Sequence, residues 1–479
     1  MNKPWIAIVS ALVSSASGLL ACSDNGASQG PEGEADSATA DKDGSTGTDA
    51  GAGADATASD SPLEVAASPG LDGGDASAID SSFDSAASPG LDGGDASAPA
   101  TPRLLLSYNG STSSELVAFG LQSGTIDGVY VYPDYIGATS VTPAAPWVLE
   151  QSTDIVGRLD PARPWVVQSS FRVALGDYAP DAGFASAYSD PLAVVAAGTK
   201  AYVLRYNRNT IAVIDPSQVV DGGAPASTID LSAQVQAAGD GYVEMSGAHY
   251  DAPSKLLYVL LANIDRFDVA ADGYTQLCSA THPTLVAIDT TTDAVVSLGD
   301  AGTRGYSLPG YGAVFGAAPM VYDPPNNRLL VLETGCKTAE ADGGVGPIAG
   351  RGVVSVSLAD GAAQTVLDLT SAAYPSGIYY LDAHHTILQL DTAYTWDPTT
   401  STLGPAIANA PEAFDVDPNG NLVGVTQTAT ADGGAGEWLV VSVNPADGGT
   451  ATLGPNPFPM GDAGVGPGYL GGAQLWPAP

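Results

Sequence analysis

Lys200-Ala201-Tyr202-Val203-Leu204-Arg205, a short polar link, then Thr210-Ile211-Ala212-Val213-Ile214-Asp215-Pro216-Ser217 is the stretch that decides the fold. Two apolar runs rich in β-branched residues and tyrosine, closed by an Asp-Pro turn, read as two antiparallel strands and a tight turn. The second run and its turn recur at 116–124, 155–161, 211–217, 285–292, 353–361, 394–400 and 439–448, seven copies in all. The turns carry Asp-Pro, Asn-Pro, Asp-Thr or Asp-Gly pairs, which suit tight reversals because Pro presets φ, Asn or Asp bonds its own backbone and Gly accepts positive φ. A second turn precedes the hairpin at Asp251-Ala252-Pro253-Ser254-Lys255, Asp323-Pro324-Pro325-Asn326-Asn327, Asp382-Ala383-His384-His385 and Asp417-Pro418-Asn419-Gly420-Asn421.

Four strands per copy, in seven copies spaced by roughly 50 residues, describe an all-β, seven-bladed β-propeller, which wraps its sheets radially and leaves only short edges. The first copy begins at Arg103-Leu104-Leu105-Leu106 and lacks an innermost strand, whereas Gly468-Tyr469-Leu470-Gly471-Gly472-Ala473-Gln474-Leu475-Trp476 is left over after the seventh. The C-terminal strand is therefore expected to close the ring and remove two exposed edges. The unit Gly198-Thr199-Lys200-Ala201-Tyr202-Val203 followed by Thr210-Ile211-Ala212-Val213-Ile214-Asp215 resembles a repeat of the YVTN-type seven-bladed propellers, with a fainter echo in Leu257-Tyr258-Val259-Leu260 and Leu285-Val286-Ala287-Ile288-Asp289. Leu204 and Arg205 stand where that family carries Thr-Asn. The resemblance covers 102–479 and implies a cell-surface or secreted binding protein without a shared catalytic apparatus.

Composition supports the same class. Fifty-eight Gly and 35 Pro in 479 residues disfavour a mainly helical chain. Fifteen Lys and Arg against 53 Asp and Glu give a net charge of −38, a field that repels phosphate backbones and excludes nucleic acid as a partner. Residues 1–22 read as an export signal, with Lys3 ahead of an apolar stretch too short for a membrane span. Leu19-Leu20-Ala21-Cys22 resembles the lipobox of bacterial lipoproteins, which implies lipidation at Cys22, removal of the signal and attachment to a membrane through an N-terminal lipid. Ser23 after the cysteine implies sorting to the outer membrane, facing the periplasm or the cell surface. Residues 23–101, with 16 acidic residues, one Lys and hardly any aromatics, are expected to be a disordered acidic tether carrying a duplicated linker at 66–78 and 86–98. The tether should extend beyond about 50 Å and hold a monomeric domain, 102–479, away from the membrane.

Chemistry is sparsely marked. Cys278 and Cys336 fall in corresponding long connections of blades four and five, and export favours a disulfide between them. Asp190, His249 and Glu412 are placed at or near the start of innermost strands, hence at the mouth of the axial channel, as candidate ligand contacts. Asp415-Val416-Asp417-Pro418-Asn419-Gly420-Asn421 echoes half of a calcium loop, yet Thr426 stands where the bidentate Glu belongs, so a hairpin turn is expected. No catalytic residue, cofactor site or metal site is assigned. The loops 262–283, 333–352 and 426–437 are long enough to mark a binding rim. The leading expectation is a non-enzymatic binding or scaffold protein for a protein, peptide or glycan, and the alternative is a hydrolase or lactonase with its site at the channel mouth.

Overall fold

The computed structural model describes residues 101–477 except 111–112, 133–135, 138, 178–187, 270–275, 279–280, 298–304, 315–317, 340–343, 430–434, 456 and 459–468. The export signal, Cys22 and the tether thus lie outside the described residues.

Seven antiparallel sheets follow one another along the chain, each of four strands, with the fourth blade adding the short strand Tyr306–Ser307. The innermost strands of successive blades touch around a closed circuit, which makes the molecule a seven-bladed propeller. In blade three, Lys200–Arg205 pairs with Thr210–Ile214 in the register Ala212↔Val203, Val213↔Tyr202 and Ile214↔Ala201. Both strands are buried almost throughout because each blade is covered on both faces by its neighbours, so they read as continuous apolar runs. Alternation decides which neighbour each residue meets. Tyr202, Leu204, Ile211 and Val213 pack with Leu257, Val259 and Ile288 of blade four, whereas Ala201, Val203, Ala212 and Ile214 pack with Trp147, Leu149 and Phe171 of blade two. A slip of one residue would exchange the two faces.

The recurring hairpin is the third strand of each blade with the turn that follows it. Its Asp side chains fold back on the backbone: Asp215 accepts from Ser217 N at 3.0 Å, Asp289 from Thr291 N at 2.8 Å and Asp397 from Thr399 N at 2.8 Å. The seventh blade uses Asn444, which accepts from Ala446 N at 2.8 Å. These are Asx turns, and they explain why the pair begins with Asp or Asn in blade after blade.

Ring closure occurs as the sequence implies. Tyr469–Trp476 runs antiparallel to Arg103–Asn109, with Leu105 opposite Gln474 and Leu106 opposite Ala473. The closing strand is also tied sideways: Trp476 Nε1 donates to Pro161 O of blade two at 2.9 Å, and Leu475 N donates to Asp415 Oδ2 of blade seven at 2.9 Å.

Candidate functional site

Every innermost strand starts on one face of the ring and ends on the other, so the axial channel has two chemically distinct mouths. At the starting face, Glu244 and Glu412 directly precede the innermost strands Met245–Asp251 and Ala413–Val416 and play equivalent parts. Glu244 Oε2 accepts from Ile264 N at 3.0 Å, and Glu412 Oε1 accepts from Gln427 N at 3.1 Å. Each carboxylate thereby caps a backbone donor of the second strand or its extension, just past the end of that strand's ladder with the innermost strand. Glu412, anticipated as a ligand contact, holds its blade together.

Around Glu244 a buried charged network links blades three and four. Arg266 pairs with Asp240 at 2.5 Å and with Glu244 at 3.2 Å, and all three side chains are nearly inaccessible. Its Nη1 donates to Asn207 Oδ1 at 2.8 Å, and its guanidinium lies 5.0 Å from the Tyr242 ring centroid and 5.6 Å from that of Tyr206. Arg205 makes a bidentate pair with Asp177 close by. Planar forks suit such buried pairing, because their geometry matches carboxylates and a guanidinium is more weakly hydrated than an ammonium. Asp190 stands next to this network. Burial, then the neighbouring Asp154, push its carboxyl up to about 7 against the opposing pull of Arg266. Asp154 is occupied by Ser189, whose backbone N and Oγ both donate to Oδ1 at 2.6 Å.

Four residues of this rim have left-handed backbone. Asp154, Asp190, Glu244 and Asn263 have φ of 58°, 55°, 41° and 46°, in the left-handed region that L-residues rarely adopt. Each costs on the order of 1–2 kcal/mol and persists because the surrounding hydrogen bonds fix it. Further round, Glu333 accepts from Gly310 N at 3.2 Å, and burial pushes its carboxyl up to about 8. His282 Nδ1 lies 2.9 Å from Gly310 O and the imidazole stacks on Tyr311 at 4.8 Å.

The opposite end of the channel opens into an axial cavity of about 510 Å³. Its wall is built by the innermost strands of blades five, six, seven, one and two, with Val141, Met320, Tyr379, Tyr380, Asp415 and Gln474 among the lining residues. Innermost strands present one unpaired backbone edge to the channel, and side chains of adjacent blades cover part of it. Asp415 takes Leu475 N at 2.9 Å and Val416 N at 2.8 Å, while Tyr379 donates its hydroxyl to Phe414 O at 3.3 Å. Burial raises the Asp415 carboxyl above the usual carboxylate range despite those two donors. Gln474 Oε1 is a buried acceptor without a hydrogen-bond partner among the described residues. The echo of a calcium loop at 415–421 is the turn at the mouth of this cavity: Asp417 Oδ1 accepts from Asn419 N at 2.9 Å and Asn421 N at 2.8 Å, and Gly420 supplies a φ of 80°.

The three anticipated contact residues do not meet. Asp190 and Glu412 belong to the starting face, but His249 is the fifth residue of the seven-residue strand Met245–Asp251 and lies towards its far end. Its ring stacks on Tyr322 at 5.0 Å, and burial lowers its pKa, so it is a neutral aromatic packing partner. The register of that strand, unknown from sequence, placed it wrongly at the start. Arg266, Asp240 and Glu244 were missed, although a signal existed: in a chain with only 15 Lys and Arg, an arginine beside Asp265 in a long connection invites a search for its partners.

Cys278 and Cys336 are joined by a disulfide between blades four and five, with Cα atoms 5.0 Å apart. Cys278 N donates to Lys337 O at 2.9 Å and Lys337 N to Gln276 O at 3.0 Å, so a short parallel pairing flanks the bond. Two of the three expected long loops are in fact extended hairpins. Arg328–Ala339 and Val345–Ser357 continue their ladder through Cys336↔Ala349 and Lys337↔Ile348, and Leu422–Ala429 pairs with Ala435–Val443.

No protein-family model and no curated protein matches the chain. Among solved structures it is similar to Kuenenia stuttgartiensis hydrazine synthase, at 13% identity over 71% of this chain and 92% of that one, with a TM-score of 0.45. It is also similar to a putative 6-phosphogluconolactonase from Bacteroides uniformis, at 12% identity over 74% and 95% of the two chains and a TM-score of 0.43. A periplasmic gluconolactonase of Pseudomonas aeruginosa gives 12% identity, coverages of 74% and 96%, and a TM-score of 0.42. At such identities nothing about activity passes from these proteins to this chain.

Proposed function

We propose that this chain is a ligand-binding protein of the bacterial cell envelope, tethered through a lipid on Cys22, whose propeller receives a small molecule in its axial channel. The observation that carries the reading is the cavity of about 510 Å³, a volume suited to a small organic ligand and lined by aliphatic and tyrosine side chains with a few fixed polar groups. Asp415, Asp417 and Tyr379 are held by their own hydrogen bonds, which preorganises that part of the wall. The YVTN-type resemblance of blade three agrees with such a role, because that family displays binding propellers outside the cell. Thermal-shift measurements with a set of small polar molecules, run on the wild type and on Ala318→Phe, test it. A ligand present at 100 times its Kd stabilises the folded state by about 2.7 kcal/mol. Stabilisation confined to the wild type supports the channel as the site, and equal stabilisation of both proteins overturns it.

A second reading, a hydrolase or lactonase acting at the opposite mouth, is favoured by Asp190, whose pKa of about 7 is matched to general acid–base work. It requires lactone or ester turnover that rises through pH 7 and is lost in Asp190→Asn. Turnover unchanged in that variant excludes this assignment.

A further inference from the structure

The axial cavity has a one-sided electrostatic character. Among the described residues that line it are Asp415 and Asp417 but no Lys, Arg or His. Asp417 is saturated by its own turn, with Oδ1 taking two backbone N–H groups and Oδ2 taking Asn421 Nδ2 at 3.0 Å. Asp415 receives only two backbone donors, both neutral, so its charge has no cationic counterpart in the wall. The nearby guanidinium of Arg328 is committed to Asp323 at 2.7 Å and to Pro398 O at 3.2 Å. The partial charge of the unpartnered Gln474 Oε1 adds to the same sign. A carboxylate withdrawn from water without a neutralising group is costly, and a cation entering from solution would relieve that cost. The rest of the wall fits an organic cation: the half-buried Tyr380 offers aromatic surface, which attracts ammonium groups, and the half-buried Val141, Ala318 and Leu381 offer aliphatic surface for a carbon skeleton. A net charge of −38 concentrates cations around the protein and repels anions.

We propose that the axial cavity binds an organic ammonium ion, with its charge set against the Asp415 carboxylate and its skeleton against the tyrosine and aliphatic wall. The inference rests on the reading of the channel as the binding site and names the ligand class. It predicts rejection of sugar acids and phosphorylated sugars, whose charge has the wrong sign for this wall.

Isothermal titration of the full chain with choline, glucose and gluconate, as cationic, neutral and anionic probes, separates the possibilities. Choline is expected to bind, to weaken at least tenfold in Asp415→Asn, and to be lost in Ala318→Phe. Gln474→Lys keeps the falsifying power if Asp415→Asn fails to fold, since it sets a cation in the wall in place of an amide whose oxygen has no partner and leaves the Asp415 hydrogen bonds untouched. That variant should lose choline and gain gluconate. Absence of choline binding, or choline affinity unchanged in both Asp415→Asn and Gln474→Lys, overturns the ammonium proposal. Glucose or gluconate binding that Ala318→Phe abolishes, with no choline binding, overturns the ligand class but leaves the channel as the site. Binding of any probe that survives Ala318→Phe overturns both.

Discussion

Removal of Trp476 tests the closure of the ring at its last residue. Its side chain is 3% exposed, packs among Leu105, Leu116, Val148 and Leu159 of blades one and two, and donates its indole N–H to Pro161 O. Truncating a buried Trp to Ala costs about 3–5 kcal/mol, and loss of the hydrogen bond adds about 1 kcal/mol. Against a stability near the middle of the usual range, about 10 kcal/mol, the Trp476→Ala variant should lose about half of its margin. Deleting 469–479 removes in addition Leu475, the whole ladder to Arg103–Asn109 and the partner of Asp415, which exceeds what the domain can lose. Differential scanning calorimetry should show a midpoint lowered by about 5–8 °C in Trp476→Ala, because a domain of this size unfolds with an entropy of about 0.8 kcal/mol/K. Sedimentation velocity should show the deletion variant self-associating through its exposed edges. A deletion of equal length within 23–101 is the control. If the chain ending at residue 468 remained monomeric with the wild-type midpoint, the closing strand would not carry the load assigned to it.

Other consequences are open to direct measurement. Replacing Cys278 and Cys336 by Ser opens a cross-link spanning 58 residues, for which chain entropy gives about 4 kcal/mol, read as a lower urea midpoint with a steeper slope from the expanded unfolded chain; no shift would show the blades equally well tied without it. Glu333, with its folded pKa raised to about 8 against an ordinary 4.5, binds its proton in the folded state where the unfolded chain has released it. Its contribution is therefore complete below about pH 4.5 and is lost as pH rises through about 8, at up to about 1.4 kcal/mol per pH unit. Glu333→Gln should flatten the decline in stability between pH 5 and 8, and an identical pH profile in the variant would contradict the buried acid. Labelled fatty acid should be incorporated in a manner that depends on Cys22, and a Cys22→Ala protein that stayed on membranes would refute lipid attachment there.

The blades were legible because their signals are local. An Asx turn needs only Asp and the two residues after it, so Asp215, Asp289 and Asp397 announced the same corner each time. The closing strand could be recognised because the first copy visibly lacked a partner that the C-terminus still held. The site was not legible for the converse reason. Arg266 finds Asn207, Asp240 and Glu244 only after two blades have packed side by side, and no spacing rule encodes that convergence. His249 was misplaced because strand ends follow from register, which a seven-residue run of Met, Ser, Gly, Ala, His, Tyr and Asp does not fix. The hairpin extension from Gly346 to Gly352 reads as loop by composition, yet its backbone ladder with Arg328–Ala339 needs no bulky side chains.

The most direct test of the central claim, that the axial channel is the binding site, is a crystal structure of the propeller domain soaked with choline. The account predicts ligand density between the innermost strands of blades five, six, seven, one and two, with the ammonium group against Asp415. An empty channel, with density instead at the opposite mouth beside Asp190 and Glu244, would contradict it.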